Sequence, residues 1–162
     1  MTDLRHAPRV GLGWDRHRLE PGRRCVLGGV EIASELGPAG HSDGDAVLHA
    51  LTDALLGAAG LDDLGSLFPD HDPAWKDADS TTFLREALRR LAGLGLRPLS
   101  ADLVVVCDRP RLAPARQAVR GSLAGLLGLP LDRVNLKGKT TEGGDAGRID
   151  VQAVVLVGPS EA

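Results

Sequence analysis

The sequence predicts an α+β fold: a two-layer sandwich in which helices cover one face of a mixed β-sheet. Three observations point there. Amphipathic helical stretches and apolar strand-like runs follow one another in an irregular order, not in a clean strand–helix alternation. Apolar residues make up 43% and charged residues 25% of 162 residues, which suits one soluble domain with a real core. No linker-like gap, internal repeat or low-complexity tract divides the chain, so residues 1–162 are expected to form a single domain. Helices on one sheet face leave the other bare, and self-association is the natural way to bury it.

Apolar alternation from Arg9 to Gly13 predicts a strand running into GWDRH. RCVLGGVEI, from Arg24 to Ile32, reads as two short strands sharing a turn or bulge at Gly28-Gly29. In AVLHALTDALLGAA, residues Val47, Leu48, Leu51, Leu55 and Ala58 recur at spacings of three and four, predicting a helix from Ala46 to Ala59. Asp43 or Asp45 is placed to cap it. The next segment, GLDDLGSLFPDHDPAWKDADS, is rich in Asp, Gly and Pro and reads as a long surface loop, of the kind used as a lid or binding segment. STTFLREALRRLAGLG predicts a second amphipathic helix stopping near Gly93 or Gly95. ADLVVVCD reads as a buried strand, PARQAVRGSLAGLLGL as a third helix, and RVNLKGK and DVQAVVLVG as the last strands.

Composition also excludes. Aromatics are 2% with no tyrosine, so modules that stack nucleic-acid bases on aromatic rings are not expected. A net charge of −3 offers no basic excess for a polyanion, which leaves a small phosphorylated substrate bound by local basic groups. Cys25 and Cys107 lie far apart in apolar runs without a CxxC spacing, and are expected to be buried free thiols of a reducing cytoplasm. The N-terminal residues show no apolar signal region, and no run reaches the ~20 apolar residues of a membrane span.

The chemistry begins at Asp15 and His17. In an extended segment residues two apart point the same way, so this carboxylate and imidazole share a face and form good zinc ligands. The pair alone is weak, since metal-free surface Asp–His pairs are commoner. The helix offers partners: His49 lies four residues after Asp45 and four before Asp53, which puts all three on one stripe. By default a histidine flanked by apolar residues is a core residue, but here acidic neighbours and the upstream His41-Ser42-Asp43 favour a site. His41 falls in a turn whose free backbone N–H groups suit a phosphate. Three protein ligands leave a fourth position open, the mark of a catalytic zinc.

DRH, AGHSDGDAVLHALTDALLGAAGLDDLGSLFPDHDPAWKDADS and LKGKTTEGGDAGR together resemble the 2-C-methyl-D-erythritol 2,4-cyclodiphosphate synthases over nearly the whole chain. The resemblance implies a homotrimer with active sites between subunits, and the lack of a signal region or membrane span leads us to expect it in the cytosol. The resemblance also implies conversion of 4-diphosphocytidyl-2-C-methyl-D-erythritol 2-phosphate to the cyclic diphosphate and CMP. It makes Asp15, His17 and His49 the zinc ligands, with Asp15 and His17 also beside the substrate. His41 and Ser42 then contact substrate phosphates, with His41 stabilising the transition state. Asp63 and Gly65 match the methylerythritol site, and Phe68, Asp70 and Asp72 lie in the matching loop over it. Pro110, Arg111, Leu112 and Ala113 match a nucleotide pocket continued by Lys139, Thr140 and Thr141, with Thr140 polarising phosphate. Glu142 matches the residue holding a second divalent cation, magnesium or manganese. Arg148 matches a position near the trimer axis. Lys139 and Arg109 depart from the family pattern, as does GGDAGRIDVQAVV, which is shorter and lacks its aromatic. The rival readings are a zinc phosphoesterase with Asp45 or Asp53 as base, and a trimeric nucleotide-binding protein with His41 closing a structural zinc shell.

Overall fold

In the computed structural model, which describes residues 7–69, 71–76 and 78–160, strand β1 (Arg9–Pro21) carries the expected alternation further than Gly13. It runs antiparallel to the last strand, β7 (Arg148–Pro159), with Asp15 opposite Val151 and His17 opposite Ile149. Together with β4 (Leu36–Pro38), β5 (Leu96–Val106) and β6 (Val134–Lys139) they form a five-stranded sheet in the order β4-β1-β7-β5-β6. Only β5 and β6 pair in parallel, and helix α4 (Arg116–Leu127) makes the crossover between them. The sheet is therefore mixed, as expected.

Helix α1 (Ala46–Ala59) lies across β1 and β7, and α3 (Thr81–Gly93) packs beside it. Sheet residues obey the period-two rule. On β7, Ile149, Val151, Ala153 and Val155 are buried beneath the helices, while Gln152, Val154 and Leu156 face outward. On β1 the buried residues that lie against α1 are Gly11 and Gly13. A Cβ on Gly11 would stand 1.8 Å from the Ala54 carbonyl oxygen, and one on Gly13 would stand 1.8 Å from that of Ala50. Helix α1 thus rests on bare backbone.

The short strands β2 (Cys25–Leu27) and β3 (Val30–Ile32) form a hairpin, with Gly28 and Gly29 at φ +62° and +75°. Two consecutive positive φ values are what a tight two-residue hairpin turn demands. Both cysteines are buried free thiols, and burial pushes the pKa of each up to about 11, which favours the neutral thiol.

One expectation needs correction. The segment between α1 and α3 is not a plain loop: it holds a short helix α2 (Leu64–Leu67) and a 3-10 turn at Pro73–Trp75. The same Asp residues that read as loop chemistry act as caps, and Pro73 opens the 3-10 turn. Asp63 accepts from Ser66 N at 2.8 Å, and Asp72 accepts from Ala74 N at 2.9 Å. Strands β5 and β7 also begin earlier than expected: Leu96 of β5 pairs with the end of β7 at Pro159, and Arg148 of β7 pairs with Arg18 of β1.

Candidate active site

The register that seats Gly13 under Ala50 brings Asp15, the next residue on that face of β1, beside His49 on α1. Asp15 Oδ2 lies 2.7 Å from His17 Nδ1 and 3.6 Å from His49 Nδ1. One ligand atom from each of the three falls within 4.8 Å of the others. Asp15 Oδ2 and His17 Nδ1 are buried, and neither makes a hydrogen bond of acceptable direction despite their closeness. A carboxylate oxygen and a ring nitrogen, both buried and facing inward without a hydrogen-bond partner, fit a shared cation. Burial alone would raise the Asp15 pKa, but the imidazoles of His17 and His49 hold it at about 2. At His49 burial opposes the cation, yet Asp15, aided by Asp45 and Asp43, wins and raises its pKa.

Of the expected stripe, only His49 supplies a ligand. Asp45 is fully buried and turned away. Its Oδ1 accepts from Gly28 N at 2.9 Å, Val47 N at 3.1 Å and Leu48 N at 3.0 Å, and its Oδ2 accepts from Gly29 N at 2.7 Å. Asp45 thus caps α1 and ties the hairpin to it, although burial pushes its pKa up to about 6. Asp53 borders the site but accepts from Leu64 N at 2.7 Å, fixing the turn into α2.

The ligands open into a cavity of about 520 Å³. Among the expected substrate residues, His41, Ser42, Asp63, Gly65 and Phe68 line it. His41 Nε2 is buried there without a partner. Phe68 packs on Phe83 and edge-on to Trp75, with ring centroids 4.7 and 5.2 Å apart, making an apolar wall. Trp75 and Phe83 were not singled out in the sequence as site residues; helical periodicity accounts for Phe83 as core. Asp72 caps its turn and is not among the lining residues, and Asp70 lies outside the described residues.

A second cavity, about 600 Å³, is bordered by Arg111, Leu112, Ala113, Lys139 and Thr140. Pro110, after a cis peptide bond, lines a neighbouring hollow with Arg111. Thr140 Oγ1 donates to the Glu142 carboxylate. Thr141 donates to Asp108 from its N at 2.9 Å and its Oγ1 at 2.6 Å. Asp108 thereby holds the chain just past the end of β6. Arg148 pairs with Asp145 and borders neither cavity. The two cavities share no lining residue.

The YgbB family model matches residues 8–158. A 2-C-methyl-D-erythritol 2,4-cyclodiphosphate synthase from Thermus thermophilus is 54% identical over 149 residues, 92% of this chain and 98% of that one. Its counterpart from Gloeobacter violaceus is 52% identical over 153 residues, 92% of this chain and 94% of that one. A solved structure of such a synthase in its CDP-bound form superimposes with a TM-score of 0.88 at 51% identity, covering 92% of this chain and 99% of the other. With the match spanning residues 8–158 and these relatives aligned over nearly their full length, the chain belongs to the YgbB family, the family of the 2-C-methyl-D-erythritol 2,4-cyclodiphosphate synthases.

Proposed function

We propose that this chain, a phosphorus–oxygen lyase, cyclises 4-diphosphocytidyl-2-C-methyl-D-erythritol 2-phosphate to 2-C-methyl-D-erythritol 2,4-cyclodiphosphate and releases CMP. The observation that carries this reading is the Asp15–His17–His49 cluster opening into a polar cavity. Held by these three, a zinc ion or another divalent cation would supply Lewis acidity to a phosphate oxygen.

An oxygen of the substrate 2-phosphate forms the new bond to the β-phosphorus, and the bond to the CMP oxygen breaks with its electron pair leaving on CMP. A phosphate is already a competent nucleophile, so the protein's task is positioning and charge neutralisation. His41 Nε2, buried and unpartnered, is available to a phosphate oxygen, and Ser42 borders the same space. Asp63 and Gly65 would receive the hydroxylated carbon chain beside the aromatic wall of Phe68. The cytosine would lie against Pro110 to Ala113, with Lys139, Thr140 and Thr141 at its phosphates. Glu142, paired with Thr140, would hold magnesium or manganese on the diphosphate.

We further read the working form as a homotrimer with sites between subunits. Val10, Leu12, Trp14, Val154 and Leu156 leave apolar surface on the helix-free sheet face, which a second copy would cover. The separation of the two cavities favours completion of each site by a neighbour. We also propose a cytoplasmic location; separately, no helix among the described residues is long and apolar enough to cross a membrane. The phosphoesterase reading loses support, because Asp45 is engaged by four backbone donors and Asp53 is tied to Leu64.

Phosphorus NMR of the protein with the diphosphocytidyl substrate and divalent cations tests this. Signals of a cyclic diphosphate and CMP are expected; a linear phosphate product would overturn the assignment.

A further inference from the structure

Ser80 occupies the N-cap position of α3, where serine ordinarily accepts a backbone N–H of its own helix. Here it makes no such bond. Asp79 serves the helix start instead, accepting from Thr81 N at 2.8 Å and, through its carbonyl, from Thr82 N at 2.9 Å. The Ser80 side chain is fully buried and turned toward the metal-ligand cluster. Its hydroxyl donates to Asp43 Oδ1, and its oxygen lies 2.9 Å from His49 Nε2. Asp43 Oδ2 accepts from Ser80 N at 3.1 Å, and Asp43 N donates to the Ala78 carbonyl at 3.1 Å. These bonds staple the end of the α1–α3 connection onto the turn that precedes α1.

A hydroxyl has one proton. With it given to Asp43, Ser80 Oγ can only accept from His49, so the single proton of the neutral imidazole must sit on Nε2. Ser42 Oγ, 3.2 Å from the same nitrogen, offers a second acceptor. Nδ1 is then left with its lone pair facing Asp15. We propose that Ser80, oriented by Asp43, is a positioning residue: it selects the His49 tautomer that presents Nδ1 to a divalent cation and links occupancy of the metal site to the order of the α1–α3 connection. This rests on the metal-site reading given above. Residues behind a ligating histidine commonly act this way.

The test uses zinc alone on metal-free protein, in competition with a chromophoric chelator. Ser80→Ala should weaken zinc binding about 10- to 100-fold. Ser80→Thr, which restores the hydroxyl, should recover most of that loss. Zinc should slow amide exchange around Ala78 in the wild type, and Ser80→Ala should abolish this slowing. Nitrogen-15 spectra of zinc-loaded wild type should place the metal on Nδ1 of His49 and the proton on Nε2, a readout needing no variant. Wild-type zinc affinity in Ser80→Ala, or metal on Nε2, would overturn the role of Ser80 while leaving the metal site standing. A wild type that binds no zinc would instead bring down the metal-site reading and this proposal with it.

Discussion

Gly13 lies so close to Ala50 that a single added methyl group would meet the helix backbone at 1.8 Å. Nothing flexible can yield there, because the opposing atom is a carbonyl oxygen on α1. The contact sets the depth at which α1 sits on β1, and so the 3.6 Å separation between Asp15 Oδ2 and His49 Nδ1.

Gly13→Ala is therefore expected to lift the helix locally. Overpacking of this kind costs about 1–3 kcal/mol, which a lowered melting temperature will report. Zinc affinity should fall as well, because the ligands come from the two elements being pushed apart. A variant of lowered stability with unchanged zinc affinity would show that the ligand spacing does not depend on this contact.

Acidity should act in opposite directions on the metal-free and zinc-loaded protein. In the metal-free state the His49 pKa is raised above its ordinary 6.5, so its ion pair with Asp15 stabilises the fold fully below that value. That stabilisation is lost as pH rises through the folded-state pKa. Asp15, held at about 2, stays ionised throughout this window. Zinc needs the neutral imidazole, so its affinity should fall about tenfold per pH unit for each proton it displaces below the His49 pKa. Melting curves of chelated and zinc-loaded protein between about pH 5 and 8 should accordingly diverge as pH rises. Parallel curves would mean that His49 does not ligate the ion.

Mixing inactive variants tests the shared site. His49→Ala damages the cavity with the metal-ligand cluster and Thr140→Ala the cavity proposed to take the nucleotide, which share no lining residue. In the homotrimer proposed above, once subunits are exchanged by mild unfolding and refolding together, any mixed trimer would have one junction where two intact halves meet. Equal random mixing makes about three-quarters of the trimers mixed, so roughly a quarter of wild-type activity should return under closed cyclic symmetry. No recovery, with mixed trimers confirmed by mass spectrometry, would place each site within one chain.

Much of this architecture was legible in local chemistry. Period-two spacing put Asp15 and His17 on one face of β1, spacings of three and four marked α1 and α3, and Gly28-Gly29 marked a hairpin turn. These signals are local, because backbone geometry alone sets where neighbouring side chains point. Helical spacing equally put Asp45, His49 and Asp53 on one stripe and could not separate their roles. The tertiary structure separated them: hairpin amides capture Asp45, Leu64 captures Asp53, and the Gly13–Ala50 contact turns His49 onto Asp15. Ser80 was still less legible, since at a helix start it looks like an ordinary cap. Its bonds to Asp43 and His49 exist only once segments distant in sequence are packed together. Periodicity reports which way a side chain faces; what it faces depends on which buried donors and acceptors the fold leaves needing a partner.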